Sequence, residues 1–131
     1  MTVEERTREV HPLTLFAPEG ARLLMLGSFP PPRERWRMDF FYPNFQNDMW
    51  RIFGLVFFGD KSHFLTDDGR AFREAELRRF LTERGIAIWD TAMEVSRLQG
   101  NASDKFLEVL RPIDLRQTLA LLPSCRAIAV T

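Results

Sequence analysis

A single cysteine, Cys125, occurs in the 131 residues. That excludes an internal disulfide framework and any cluster needing several thiolates from this chain. Net charge is also missing: 18 basic residues balance 18 acidic ones. Overall charge therefore offers no general case for nucleic-acid binding, although a local patch remains open. The apolar runs "LLML" and "GLVFF" fall far short of the ~20 residues of a membrane span. The start, "MTVEERTREV", is polar and acidic and has no signal-peptide pattern. With the lone thiol it fits a reducing cytoplasm and no membrane partner. No P-loop, G-x-G-x-x-G or G-x-S-x-G pattern occurs. His11 and His63 lie far apart in polar segments and form no metal pattern with Cys125.

The apolar content of 45% and the length suit one domain with a real core. Residues 1–20 read as a lead-in. "RLLMLG" (22–27) is a continuous apolar run stopped by glycine, which predicts a strand buried on both faces. The long loop "SFPPPRERWRMDFFYPNF" follows. A helix is predicted next, with Asn47 as N-cap and Met49, Ile52, Phe53, Val56 and Phe57 as its apolar face. Gly54 weakens it. A second helix spans about 70–84, burying Phe72, Leu77, Phe80 and Leu81, with Gly85 as its stop. "IAIW" (86–89) predicts a buried strand ending at Asp90. Residues 90–105 read as mostly irregular. Ser103 is expected to cap a short helix carrying Phe106, Leu107 and Leu110, broken by Pro112. Asp114 caps another through Leu115, Leu119 and Leu122. "RAIAV" (126–130) predicts a third buried strand.

Strands alternating with helices imply an α/β fold, here expected as three layers, α/β/α, around a central parallel sheet. Ligands of such sheets bind beyond the carboxyl ends of the strands, which directs attention to Gly27 onward and Asp90 onward. The chain stops directly after an apolar strand. We expect residues 1–131 to be one incomplete domain.

Several residues there could carry chemistry. Gly27 allows close backbone approach, and Ser28 and Phe29 offer backbone N–H groups beside the stiff Pro30–Pro32 run. Phe41 and Tyr42, in a polar loop, could stack on a base, or simply pack. Trp50, at a helix start, reads as core. Arg33, Arg35, Arg37 and Arg51 supply local positive charge suited to phosphates, or a solvated loop. Asn47 is a helix cap and also an amide able to orient, but not deprotonate, a water. That suits cleavage through an oxocarbenium-like state. Asp90 either caps a turn or accepts a hydrogen bond in a pocket. An ionised carboxylate would choose a base with a ring N–H, such as uracil or hypoxanthine. Thymine shares that N–H, so a steric device would be needed to exclude it.

In this order, "LLMLGSFPP", "FFYPNFQNDMW" and "GIAIWDTAMEVSR" resemble motifs of the uracil-DNA glycosylase superfamily. The second is closest to the segment F/Y-Y-x-x-P-x-N-x-F-W of its hypoxanthine and mismatch-specific branch. "NASDKFLEVLRPIDL" further resembles a bacterial group within it. The resemblance implies a monofunctional glycosylase that flips a deaminated base out of DNA, needs no metal or organic cofactor, and requires no obligate protein partner. It implies Asn47 as the water-positioning residue. It implies Gly27, Ser28, Phe29, Pro30, Phe41, Tyr42 and Asp90 around the base. Arg33, Arg35, Arg37, Asn101 and Ser103 would lie along DNA. Two departures stand out. Ser-Phe occupies the place where several branches carry an acidic or amide residue, and Asp90 stands where uracil enzymes often have Asn. The family's second motif, of the P-S-x-S or N-P-S type, is absent. Two alternatives stay open: a non-catalytic nucleic-acid binder on the same fold, and a small-molecule N-glycoside hydrolase.

Overall fold

The computed structural model describes residues 7–97 and 107–131. The chain divides into two compact units, Met1–Phe29 with Leu81–Thr131, and Pro30–Phe80.

The first unit is built on strand β2 (Leu23–Gly27), whose apolar run is buried on both faces as its sequence predicts. It pairs in parallel with β3 (Ile86–Asp90) on one side and β6 (Ala127–Val130) on the other. Every residue of β3 is buried. Phe16 adds a short antiparallel bridge to Ile88, so the N-terminal segment also runs against β3. β6 is a strand, as predicted, but not a buried one: Ile128 and Val130 are exposed. Like β3 it is an edge strand of the described sheet, but among the described residues it has no counterpart to the Phe16 bridge that lies against β3.

The same unit holds a second sheet that the sequence reading misses. Strands β1 (Thr7–Val10), β4 (Ala92–Arg97) and β5 (Leu107–Pro112) form an antiparallel sheet in the order β1-β4-β5. Three expectations are therefore corrected. Part of the lead-in is a strand, 92–97 is ordered pairing, and 107–112 is a strand where a helix was expected. Charged residues hide β4 from pattern reading. Arg97 is buried and gives its Nε and Nη2 to the two oxygens of Glu9 on β1, at 2.7 and 3.2 Å. That fork lets a cation occupy an interior strand position. The expected cap Ser103 lies outside the described residues. Asp114 does cap helix α3 (Leu115–Ala120), its carboxylate accepting from the Gln117 N–H.

The second unit carries helix α1 (Met49–Phe58) and most of helix α2 (Glu74–Arg84), which runs on into the first unit at Leu81. The buried face of α1 is Trp50 and Gly54, not the predicted stripe; Ile52, Val56 and Phe57 are exposed. The reason is local. Trp50 is fully buried, stacks with Phe40 and donates its Nε1–H to the Phe41 carbonyl at 3.0 Å. One turn on, the chain after the helix folds back onto Gly54, with the Asp60 N–H donating to the Gly54 carbonyl. The glycine that costs helix propensity is thus where backbone meets helix. In α2, Leu77, Phe80 and Leu81 are buried as predicted, and Gly85 ends it at φ 71°.

Two predictions follow from this packing. A Cβ at Gly54 would clash with the Asp60 carbonyl oxygen. Gly54→Ala should therefore destabilise the protein by about 1–3 kcal/mol, despite better helix propensity; a thermal or urea melt reads it, and a rise in stability would contradict the packing. Glu9→Gln removes the charge opposite buried Arg97. Because the Glu9 side chain is 28% exposed, the loss should be about 2 kcal/mol, below the ~3–5 kcal/mol of a fully buried pair, in the same melt.

Candidate functional site

In the first unit the parallel sheet brings two predicted site residues side by side. Gly27 and Asp90 are register partners at the carboxyl ends of β2 and β3. The pairing continues past the strand ends, with the Thr91 N–H donating to Gly27 and the Ala92 N–H to Ser28. The loop leaving β2 is therefore anchored where it turns away. Ser28 is half-buried. Phe29 is 8% exposed and packs with Ala92 and Val95, so it is core rather than an open platform. Its backbone N–H, however, donates to no described residue. Unpaired donors on buried residues are rare and ask for an explanation.

Asp90 is the complementary group. Its side chain is 7% exposed, and Oδ2 accepts a 2.7 Å hydrogen bond from Nε2 of His11, whose own side chain is fully buried. Oδ1 makes no hydrogen bond to any described residue. Ser96 Oγ is the fully sealed side-chain polar atom without a partner among the described residues. Oδ1 of Asp90 therefore keeps some access to solvent. The turn-capping alternative gains no support, because the carboxylate bonds to no backbone N–H. Sequence reasoning dismissed His11. It lies 79 residues from Asp90, and no spacing rule links them; only the fold does.

The second unit holds the other candidates. Asn47 is half-buried, and its Oδ1 accepts from the Met49 N–H at 2.8 Å. It therefore does cap-like work, one residue before the N-cap position that Asp48 occupies. The Asn47 NH2 donates to no described residue. Phe41 is buried, and Tyr42 is half-buried with a φ of 51°, its ring edge-on to Trp50 at 5.6 Å. Pro30 is buried.

The arginines differ in their freedom. Arg33 lies over the Trp36 ring at 4.4 Å and pairs with Asp39. Arg37 donates to the Trp36 carbonyl. Arg51 holds the Phe45 and Asn47 carbonyls, which makes it a loop staple. Arg35 is exposed, and its side chain bonds to no described residue. Of the loop cations it is the one most available to a phosphate. Asn101 and Ser103 lie outside the described residues. No cluster of three or more possible metal ligands occurs among the described residues, and no described helix is long and apolar enough to cross a membrane.

No protein-family profile and no curated protein matches the chain. Among solved structures, a solution NMR structure from Methanosarcina acetivorans, described as a "putative Uracil DNA glycosylase", is similar at a TM-score of 0.65 and 22% identity. The match covers 90% of this chain and 66% of that one, so this chain spans about two thirds of that protein's length. At this identity the likeness concerns the fold. A three-stranded parallel sheet with a separate antiparallel sheet, in a mixed α/β chain, resembles a uracil-DNA-glycosylase-like structure.

Proposed function

We propose that the protein is a DNA glycosylase that removes a deaminated base, uracil or hypoxanthine, by hydrolysing its N-glycosidic bond after flipping the nucleotide out of the stack. The observation that carries this reading is the pair of unspent polar groups where β2 and β3 end. The Phe29 N–H is a donor without a partner and Asp90 Oδ1 an acceptor without one, among the described residues. The edge of uracil or hypoxanthine offers the converse, a ring N–H beside a carbonyl oxygen. The fold likeness supports the same reading.

In the reaction, the bond between sugar C1′ and the base nitrogen breaks and its electron pair leaves with the base. The sugar passes through an oxocarbenium-like state, water adds to C1′, and the proton it gives up is taken by the departed base anion, directly or through solvent. A carboxylate does not favour an anion growing beside it. Asp90 is therefore assigned selection of the base, and the charge that develops on the base carbonyl falls to N–H donors such as that of Phe29. Asn47 is assigned the water. With Oδ1 held by Met49, the orientation of its amide is fixed, which an unattached amide would lack. Arg35 is assigned a phosphate.

The same fixed amide also favours a second reading. In it, Asn47 is spent as a helix cap in a protein that binds nucleic acid without cleaving it. A base-release assay on duplexes carrying uracil or hypoxanthine separates the two. The first reading expects release by the wild type and a drop of about 100-fold for Asn47→Ala, as for a misplaced reactant. Salt-sensitive binding with no release, unchanged by Asn47→Ala, would leave the binder.

A further inference from the structure

We propose that His11 is the positioning residue that sets which base Asp90 accepts. The inference rests on the glycosylase reading above and adds a residue that no motif points to.

Both ring nitrogens of His11 are accounted for. Nδ1 lies 3.1 Å from the Leu13 backbone N–H and accepts from it. A nitrogen that accepts carries no proton, so the ring proton sits on Nε2. Nε2 is the atom 2.7 Å from Asp90 Oδ2. The tautomer is thereby fixed by a backbone group, and the donor faces the carboxylate. The ring cannot turn away from it. Its centroid lies 4.5 Å from that of Trp89, tilted, and 5.1 Å from that of Phe29, edge-on. The His11 backbone N–H donates to the Met93 carbonyl at 2.8 Å, tying the residue to β4.

The consequence falls on Asp90. A carboxylate with two equivalent oxygens can turn about its Cβ–Cγ bond. With Oδ2 claimed by His11, that rotation stops and Oδ1 becomes an acceptor of fixed direction. A fixed acceptor admits bases with a ring N–H at that place, uracil N3 or hypoxanthine N1. It rejects cytosine and adenine, whose corresponding nitrogens are themselves acceptors. Leaving two acceptors facing each other in a buried site is heavily penalised, which is how such a site discriminates.

The test compares wild type, His11→Phe and His11→Gln in base release from duplexes carrying uracil, hypoxanthine or cytosine. His11→Phe keeps a flat ring in the same place but has no donor. It should lower kcat on uracil and hypoxanthine by about 10–100-fold, leave the KM for duplex unmoved, and narrow the preference over cytosine. His11→Gln carries an amide NH2 toward Asp90 and should recover much of the loss. A merely structural role would lower release from all substrates alike and would not be rescued. Unchanged kcat and preference in a folded His11→Phe protein overturns the proposal while the glycosylase reading stands. Absence of release by the wild type removes that reading and this proposal with it, before any variant is compared. Long-range 1H–15N NMR of the wild-type histidine rings gives an answer that needs no variant. The proposal expects the His11 proton on Nε2, and a proton on Nδ1 overturns it.

Discussion

The parallel register of β2 with β3 is the constraint on which the rest of the first unit depends. Five paired positions run from Leu23 with Ile86 to Gly27 with Asp90. A slip of one residue in this register would move Asp90 away from Gly27. The continuous apolar runs of both strands are buried on both sides. The pairing thus carries a polar group, Asp90, into a buried position at the strand end. Asp90 arrives at the strand end already desolvated, which makes a partner necessary, and His11 is that partner.

The antiparallel sheet supplies that partner. β1 leads directly to His11, and its pairing with β4 sets Val10 opposite Glu94. The Arg97–Glu9 fork fastens the same two strands at the far end. Arg97 also lies 5.9 Å from the Phe29 ring centroid, above the ring that His11 meets edge-on. The two sheets of this unit are therefore joined through polar residues as well as apolar ones. A buried Arg and a buried His–Asp pair are costly on their own. They are tolerated because every described charge among them has a hydrogen-bonded partner.

In the second unit the same economy takes an aromatic form. Trp50 meets Phe40, Tyr42 and Phe53, and its N–H is satisfied by the Phe41 carbonyl. The loop from Pro30 to Asn47 is long, yet it is fastened along its length. Trp36 donates to Pro31, Arg78 reaches the Asp39 carbonyl, and Arg51 holds Phe45 and Asn47. Aromatic residues that look like stacking platforms in a sequence are here largely the means by which a proline-rich loop is held in place.

The sequence alone determined the parts whose cause is local. Continuous apolar runs ending in Gly27 and Asp90 specified β2 and β3, Gly85 specified the end of α2, and Asp114 the start of α3. Asn47 beside a helix start is legible in the same way. What it could not determine were features whose partner lies elsewhere in the chain. β1 and β4 lack a clean alternation because Glu9 and Arg97 neutralise each other across 88 residues. The buried face of α1 depends on where the chain returns to Gly54. The environment of Asp90 depends on His11, which no periodicity or spacing connects to it. Local steric preference and apolar pattern act over a turn or a strand and leave a trace in neighbouring residues. A buried charge finds its counterpart only when the fold brings the two together, and that was decided by tertiary structure.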